Sequence, residues 1–196
     1  MIIWLNGAYG SGKTTVAYEL KKRLDKAFVY DPENVGFFIR KNLPKELHKE
    51  NFQDHEQWRY FNYDLIKYIA CSYEGIIIIP MTIINLNYYQ EIVERLKADG
   101  IRLDHYILYA NKETLIKRLN KRLERGETFA KSQIDYCIDF FDNSITENKI
   151  FTDDFDVDEV VEEISKKSEF KLFLDNRNTL KKKIDRVLIS LKHIRL

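Results

Sequence analysis

A chain of 196 residues, 44% hydrophobic, is long enough to bury a sizeable core, and its 32 Lys and Arg against 31 Asp and Glu leave a formal net charge of +1. That near-neutrality removes any whole-molecule electrostatic case for nucleic acid, and none is expected as a partner. Cys71 and Cys137 lie far apart, His48, His55, His105 and His193 are scattered, and the longest apolar run, Ile76 to Ile84, is broken by Pro80 and Thr82; these features argue against a disulfide framework, a zinc site, a signal peptide or a span of ~20 residues, and point to a cytoplasmic protein.

The first element, residues 1–6, contains Ile2-Ile3-Trp4-Leu5 and predicts a short buried strand. Gly7-Ala8-Tyr9-Gly10-Ser11-Gly12-Lys13-Thr14 follows and fits G-x-x-x-x-G-K-S/T, after which Thr15 and the next residues open a helix over 13–25. Strand, glycine loop and helix in that order make a phosphate cradle. Backbone N–H groups surround the phosphates, Lys13 reaches the terminal ones, and the Thr14 hydroxyl takes Mg²⁺. Three of the seven glycines, Gly7, Gly10 and Gly12, fall in this loop, where positive φ and close approach to an anion are needed. ATP or GTP is therefore the expected ligand.

A strand over 27–31 ends in Asp31-Pro32-Glu33, with a helix over 33–42. Ligands of open α/β sheets gather at the carboxyl ends of strands, so Asp31 is a candidate to orient a substrate hydroxyl and accept its proton, and it can equally cap the helix; Glu33 stands beside it. The aromatic helix over 56–73 places Phe61, Leu65 and Ile69 on a buried stripe and leaves Trp58, Arg59, Asn62 and Tyr63 as candidates for an amphipathic acceptor pocket. The strand over 75–80 is wholly apolar and is followed by Pro80-Met81-Thr82 where many P-loop proteins carry a metal-binding acid. A metal would then rest on Thr14, phosphate, water and either Asp31 or Thr82.

Beyond a helix over 87–99 and a strand over 102–109, the helix over 112–124 sets Arg118, Arg122 and Arg125 on one face just before Gly126-Glu127-Thr128. Such an arginine face suits a lid around 118–135 that closes on a transferring phosphoryl group. A helix over 131–147, a strand over 150–152 and a helix over 157–168 complete an α/β alternation. The expectation is a three-layer, doubly wound sheet of about five mostly parallel strands, the P-loop nucleoside-triphosphate hydrolase/kinase-like class, as one domain over 1–170. Residues 171–196 form a basic amphipathic helix: from Arg177 onward there are seven Lys and Arg against Asp185, with Leu180, Ile184, Val187, Leu188, Leu191 and Ile194 on one face. Either that face packs on the domain, or it lies in an anionic membrane interface with Lys181, Lys182, Lys183 and Arg186 toward headgroups.

The opening Met1 to Thr14 block, Val29-Tyr30-Asp31-Pro32-Glu33, Trp58-Arg59-Tyr60-Phe61-Asn62-Tyr63, Pro80-Met81-Thr82-Ile83 and Leu191-Lys192-His193-Ile194-Arg195, in this order, resemble the tunicamycin-resistance protein family. The resemblance implies an ATP-binding, nucleotide-kinase-like protein, related in fold to small-molecule phosphotransferases such as chloramphenicol phosphotransferase. It implies a role in resistance to tunicamycin, a lipid-tailed nucleoside antibiotic, and peripheral attachment to the inner face of the membrane through the C-terminal helix. By similarity to nucleoside monophosphate kinases, Arg118 would stack on the adenine and Arg122 would reach the phosphates. Lys13, Asp31, Arg118 and Arg122 are then the expected catalytic residues, with ATP and Mg²⁺ as cofactors. Asp31, Glu33, Trp58, Arg59, Asn62, Tyr63 and Thr82 are the expected acceptor contacts. The expected activity is phosphoryl transfer to a hydroxylated, nucleoside-like molecule; the alternative is a nucleotide-gated protein that sequesters tunicamycin unmodified.

Overall fold

The computed structural model describes residues 1–121, 126 and 128–192. Five strands, β1 (Ile2–Asn6), β2 (Ala27–Val29), β3 (Ile76–Pro80), β4 (Leu103–Tyr109) and β5 (Lys149–Phe151), form one sheet in the order β2-β3-β1-β4-β5. Every pairing is parallel. The expected class and layering hold because β1 and β3 are apolar on both faces, which only a sheet covered on both sides tolerates. Alternate residues of β1 feed two cores: Ile2 and Trp4 join one, Ile3 and Leu5 the other.

The first core lies under α2 (Glu33–Asn42), α3 (Glu56–Ser72), α4 (Leu86–Tyr89), a π turn (Gln90–Glu94), α5 (Arg95–Ala98), α6 (Lys112–Lys121), α7 (Phe129–Ser132) and α8 (Ile134–Asn143). The second lies under α1 (Lys13–Arg23) and α9 (Val157–Lys167), which present Val16, Ala17 and Leu20, and Val160, Val161 and Ile164, to the sheet. The helix expected over 131–147 is interrupted at Gln133 and stops at Asn143.

The buried face of α3 differs from the expected one. Trp58, Asn62, Tyr63 and Ile66 are buried, while Phe61 and Leu65 stand 51% and 40% exposed. Trp58 is the largest side chain on the helix and finds a partner for its indole N–H inside, so the 58–62–66 line turns inward and Asn62 follows it with both amide atoms hydrogen-bonded.

The tail departs from the reading in which its apolar face packs on the domain. Helix α10 (Thr179–Lys192) packs against α1, where Asp185 meets Lys22 and Arg186 reaches Glu19; Lys182, Asp185, Arg186 and Ile189 are half-buried, whereas Leu180, Ile184, Val187 and Leu188 face outward. Lys182 and Arg186, expected toward headgroups, are instead turned to Asp158. Among the described residues no helix is long and apolar enough to cross a membrane.

Candidate functional site

Strand β1 delivers the chain to its carboxyl end at Asn6, and this buried amide fixes the start of the phosphate loop. Asn6 Oδ1 accepts from the backbone N–H of Gly7 (2.9 Å) and of Ile83 (3.0 Å), and its Nδ2 donates to the Ile83 carbonyl (3.0 Å) and to His105 Nε2 (3.2 Å). Burial pushes the His105 pKa down to about 3, so the ring is neutral and accepts from Asn6. Gly7 has φ +136°, and a Cβ there would meet the Leu108 carbonyl oxygen at 2.4 Å, so only glycine fits between β1 and β4.

Two donors converge on the Gly7 carbonyl. Thr82 Oγ1 donates to it at 2.8 Å, and Lys13 Nζ donates to it at 2.9 Å and to the Ala8 carbonyl at 3.0 Å. Gln53 Nε2 in turn holds the Thr82 carbonyl at 2.8 Å. Ser11 Oγ is buried and, among the described residues, has no hydrogen-bond partner. Helix α1 begins at Lys13 with neither a side-chain cap nor an acid in its first turn. Unsatisfied N–H groups, the positive end of the helix dipole and an orphan hydroxyl are what a bound triphosphate satisfies, so this loop fits a nucleotide. Thr14 lies at the first turn of the same helix, half-buried, in the position from which its hydroxyl would hold Mg²⁺. Thr82 is 4% exposed with its hydroxyl committed to Gly7.

The roof of the loop comes from two directions. A Cβ at Gly10 would touch the Leu115 carbonyl and Leu119 of α6 at 3.1 and 3.2 Å, which shows how closely that helix lies on the loop. Phe129 meets Tyr9 edge-on with ring centroids 5.9 Å apart. Burial raises the Tyr9 phenol, with charges at Cys137 and Glu33 adding to it, and burial likewise pushes the Cys137 thiol up to about 11. Neither side chain ionises near neutrality. Arg118 Nη1 and Nη2 donate to the hydroxyl (2.9 Å) and carbonyl (2.5 Å) of Thr152 at the end of β5. Arg122 and Arg125 lie outside the described residues.

At the end of β2 the Asp31 corner is clamped from behind. Asp31 Oδ1 accepts from the Glu33 N–H at 3.0 Å, the capping geometry anticipated for it. The Tyr30 hydroxyl donates to Asn62 Oδ1 (2.8 Å), Asn62 Nδ2 to the Trp58 carbonyl (2.8 Å), and Trp58 Nε1 to the Pro32 carbonyl (3.0 Å). Thus Trp58 and Asn62 reach both neighbours of Asp31 from the core. Arg59 points elsewhere, to Glu91 (2.5 Å), the Gln53 carbonyl (2.8 Å) and the face of Tyr88 (4.4 Å). Tyr63 donates to Asp99 (2.5 Å) and lies under Arg95 (3.8 Å).

An open cavity of about 340 Å³ beside Asp31 is walled by Phe28, Tyr30, Phe38, Phe61 and Leu65. It shares Phe38 and Phe61 with a second, about 430 Å³, that runs between α2 and α3 to Lys49 and His55. Asn6, Gln53, Tyr30 and His105 were not foreseen as part of this site. Only Asn6, polar at the end of an apolar strand and directly before the glycine loop, carried a sequence signal.

A parallel sheet with this loop after its central strand β1 and an acid, Asp31, at the carboxyl end of the edge strand β2 defines a P-loop, nucleotide-binding, kinase-like protein. The chain belongs to the AAA domain family, whose model matches residues 3–137. Among solved structures it is similar to the tunicamycin resistance protein of Deinococcus radiodurans, at 26% identity and a TM-score of 0.76 over 89% of this chain and 98% of that one. The resemblance carried by the five sequence blocks is thus borne out. Deoxyadenosine kinase from M. mycoides (22% identity, TM-score 0.54, 86% of this chain, 99% of that one) and shikimate kinase from Aquifex aeolicus (19%, 0.52, 86% and 96%) share the fold. No curated protein gives a significant match to the chain.

Proposed function

We propose that this protein is an ATP- and Mg²⁺-dependent phosphotransferase whose acceptor is a hydroxylated, amphipathic, nucleoside-like molecule, and that it protects against tunicamycin. The observation that carries the reading is the pairing of an uncapped phosphate loop with the clamped Asp31 corner beside an open, largely apolar cavity. On nucleotide binding, Lys13 would exchange the Gly7 and Ala8 carbonyls for phosphate oxygens while Thr82 keeps Gly7 satisfied, and Thr14 would hold the magnesium that screens the phosphate charge. The acceptor oxygen attacks the terminal phosphorus, the bond to the ADP oxygen breaks, and the hydroxyl proton passes to Asp31. Glu33 flanks that acid, Trp58 and Asn62 hold it in place, Arg118 borders the base, and Arg122 is assigned to the phosphates.

The commitment of Thr82 to Gly7, with no acid after β3, favours a second reading in which nucleotide gates sequestration of the antibiotic without transfer. Mass spectrometry of tunicamycin incubated with protein, ATP and Mg²⁺ separates them. A gain of one phosphoryl group, lost in Asp31→Asn, supports transfer; tight binding with the ligand recovered unchanged supports sequestration and rejects transfer. The outward apolar stripe of α10 supports peripheral attachment to an anionic membrane surface, on the cytoplasmic face.

A further inference from the structure

Helix α10 is amphipathic with its usual orientation reversed. Its charged side is drawn inward by a network whose centre is Glu19, a fully buried carboxylate on α1. Arg177 spans both Glu19 oxygens, Oε1 at 3.3 Å and Oε2 at 2.5 Å, and also pairs with Asp175 (2.7 Å) and Asp185 (2.8 Å). Arg186 meets Asp158 at 2.7 Å and Glu19 at 3.6 Å; Lys182 meets Asp158 (3.2 Å) and Asp175 (3.3 Å); Lys22 of α1 meets Asp185 at 2.9 Å. The Arg177 guanidinium beside Asp175 holds that carboxyl well below the usual range. The carboxylates of Glu19, Asp158 and Asp175 come within 4.8 Å of one another, and three cations of the tail neutralise them.

Leaving this seat would strand a buried carboxylate without its guanidinium, the costly way to break a buried pair. Nor does the outward face require departure, since Leu180, Ile184, Val187 and Leu188 are already 51–67% exposed with Lys181 and Lys183 beside them. A second copy is a poor occupant. The 14 residues of α10 make a face ~21 Å long and ~10 Å wide, a footprint of ~200 Å² against the ~800 Å² per partner of a stable interface, and lysines would meet lysines.

We infer that α10 meets an anionic lipid surface in place, as a fixed apolar fin clamped through Arg177 to Glu19, and does not peel from the domain to insert. This rests on the membrane-surface reading above and adds that the membrane lies against the α1–α10 side. It also predicts weaker dependence on lipid charge than the tail's composition suggests, because Arg177, Lys182 and Arg186 are turned inward.

The test uses the full chain with Cys71→Ser, Lys22→Cys and Asp185→Cys, joined across α1 and α10 by a short bismaleimide. Its sedimentation with phosphatidylcholine/phosphatidylglycerol vesicles is compared with that of the same variant before joining. In-place docking predicts affinities within about twofold of each other, and Ile184→Glu, on the outward face, should lower both by about tenfold or more with an unchanged melting temperature. Loss of binding only on joining overturns the inference and leaves the membrane reading intact. Undiminished binding of Ile184→Glu also overturns the inference. Failure of every form to bind refutes the membrane reading itself.

Discussion

Replacing Arg177 by Met tests whether the buried carboxylate on α1 depends on the tail. Met keeps the length of the aliphatic stem and removes a guanidinium that is 15% exposed and shared among Glu19, Asp175 and Asp185. Breaking a buried pair by removing one partner costs ~3–5 kcal/mol, and Lys22 (3.5 Å) and Arg186 (3.6 Å) still reach Glu19, so the lower end, about 3 kcal/mol, applies. For a domain of this size that is a fall of about 6–12 °C in melting temperature. Trp4 and Trp58 are both fully buried, so their fluorescence reports unfolding of the domain in urea, while amide exchange over residues 177–192 reports local opening of the tail. Glu19→Met in the same background should recover part of the loss, with a coupling of about 1 kcal/mol or more, because two apolar side chains leave no unpaired charge. Arg177→Met within about 0.5 kcal/mol of the parent by both measurements, or a coupling near zero, would refute the account of Glu19 as the centre of the clamp.

At the nucleotide site, Lys13→Met should weaken ATP binding by roughly tenfold to a hundredfold in calorimetry, the worth of a charged hydrogen bond. Thr82→Val leaves the Gly7 carbonyl to Lys13 alone and should weaken ATP binding by about fivefold to tenfold, with Thr82→Ser restoring it; equal loss in both variants would point to packing alone. If Asp31 accepts the acceptor proton, Asp31→Asn should lower kcat by about 10²–10⁴-fold with ATP affinity unchanged. Acid should release the tail before the domain unfolds. Asp158, Asp175 and Asp185 have folded-state pKa values below their usual ones, so their stabilisation is complete above about pH 4 and is lost as pH falls through the depressed values. Amide exchange of 177–192 should therefore accelerate between about pH 4 and pH 2 ahead of exchange in β1 and β3, with Glu19, Lys22, Arg177, Lys182 and Arg186 as the other charges in the seam.

The parallel sheet and its phosphate loop were legible because their causes are local: apolar runs mark strands buried on both faces, and glycines stand where the backbone turns back on an anion. The inward face of α3 was not, because Trp58, Phe61, Asn62 and Leu65 offer competing lines at helical spacing, and only the distant partners Tyr30 and Pro32 make Asn62 and the indole N–H fit to bury. Thr82 was singled out as an acceptor contact or metal ligand, but its bond to the phosphate loop was hidden in the same way, since its partner Gly7 lies 75 residues away. The tail is the clearest instance. Amphipathic spacing establishes that a helix has two unlike sides, but the surface that receives it decides which side turns inward. Helices α1 and α9 have already directed Val16, Leu20, Val160, Val161 and Ile164 to the sheet, so the groove between them presents Glu19, Lys22 and Asp158. Against such a seat the favourable orientation of α10 is charge inward and leucine outward, the reverse of what its sequence alone suggests for a helix that closes a core.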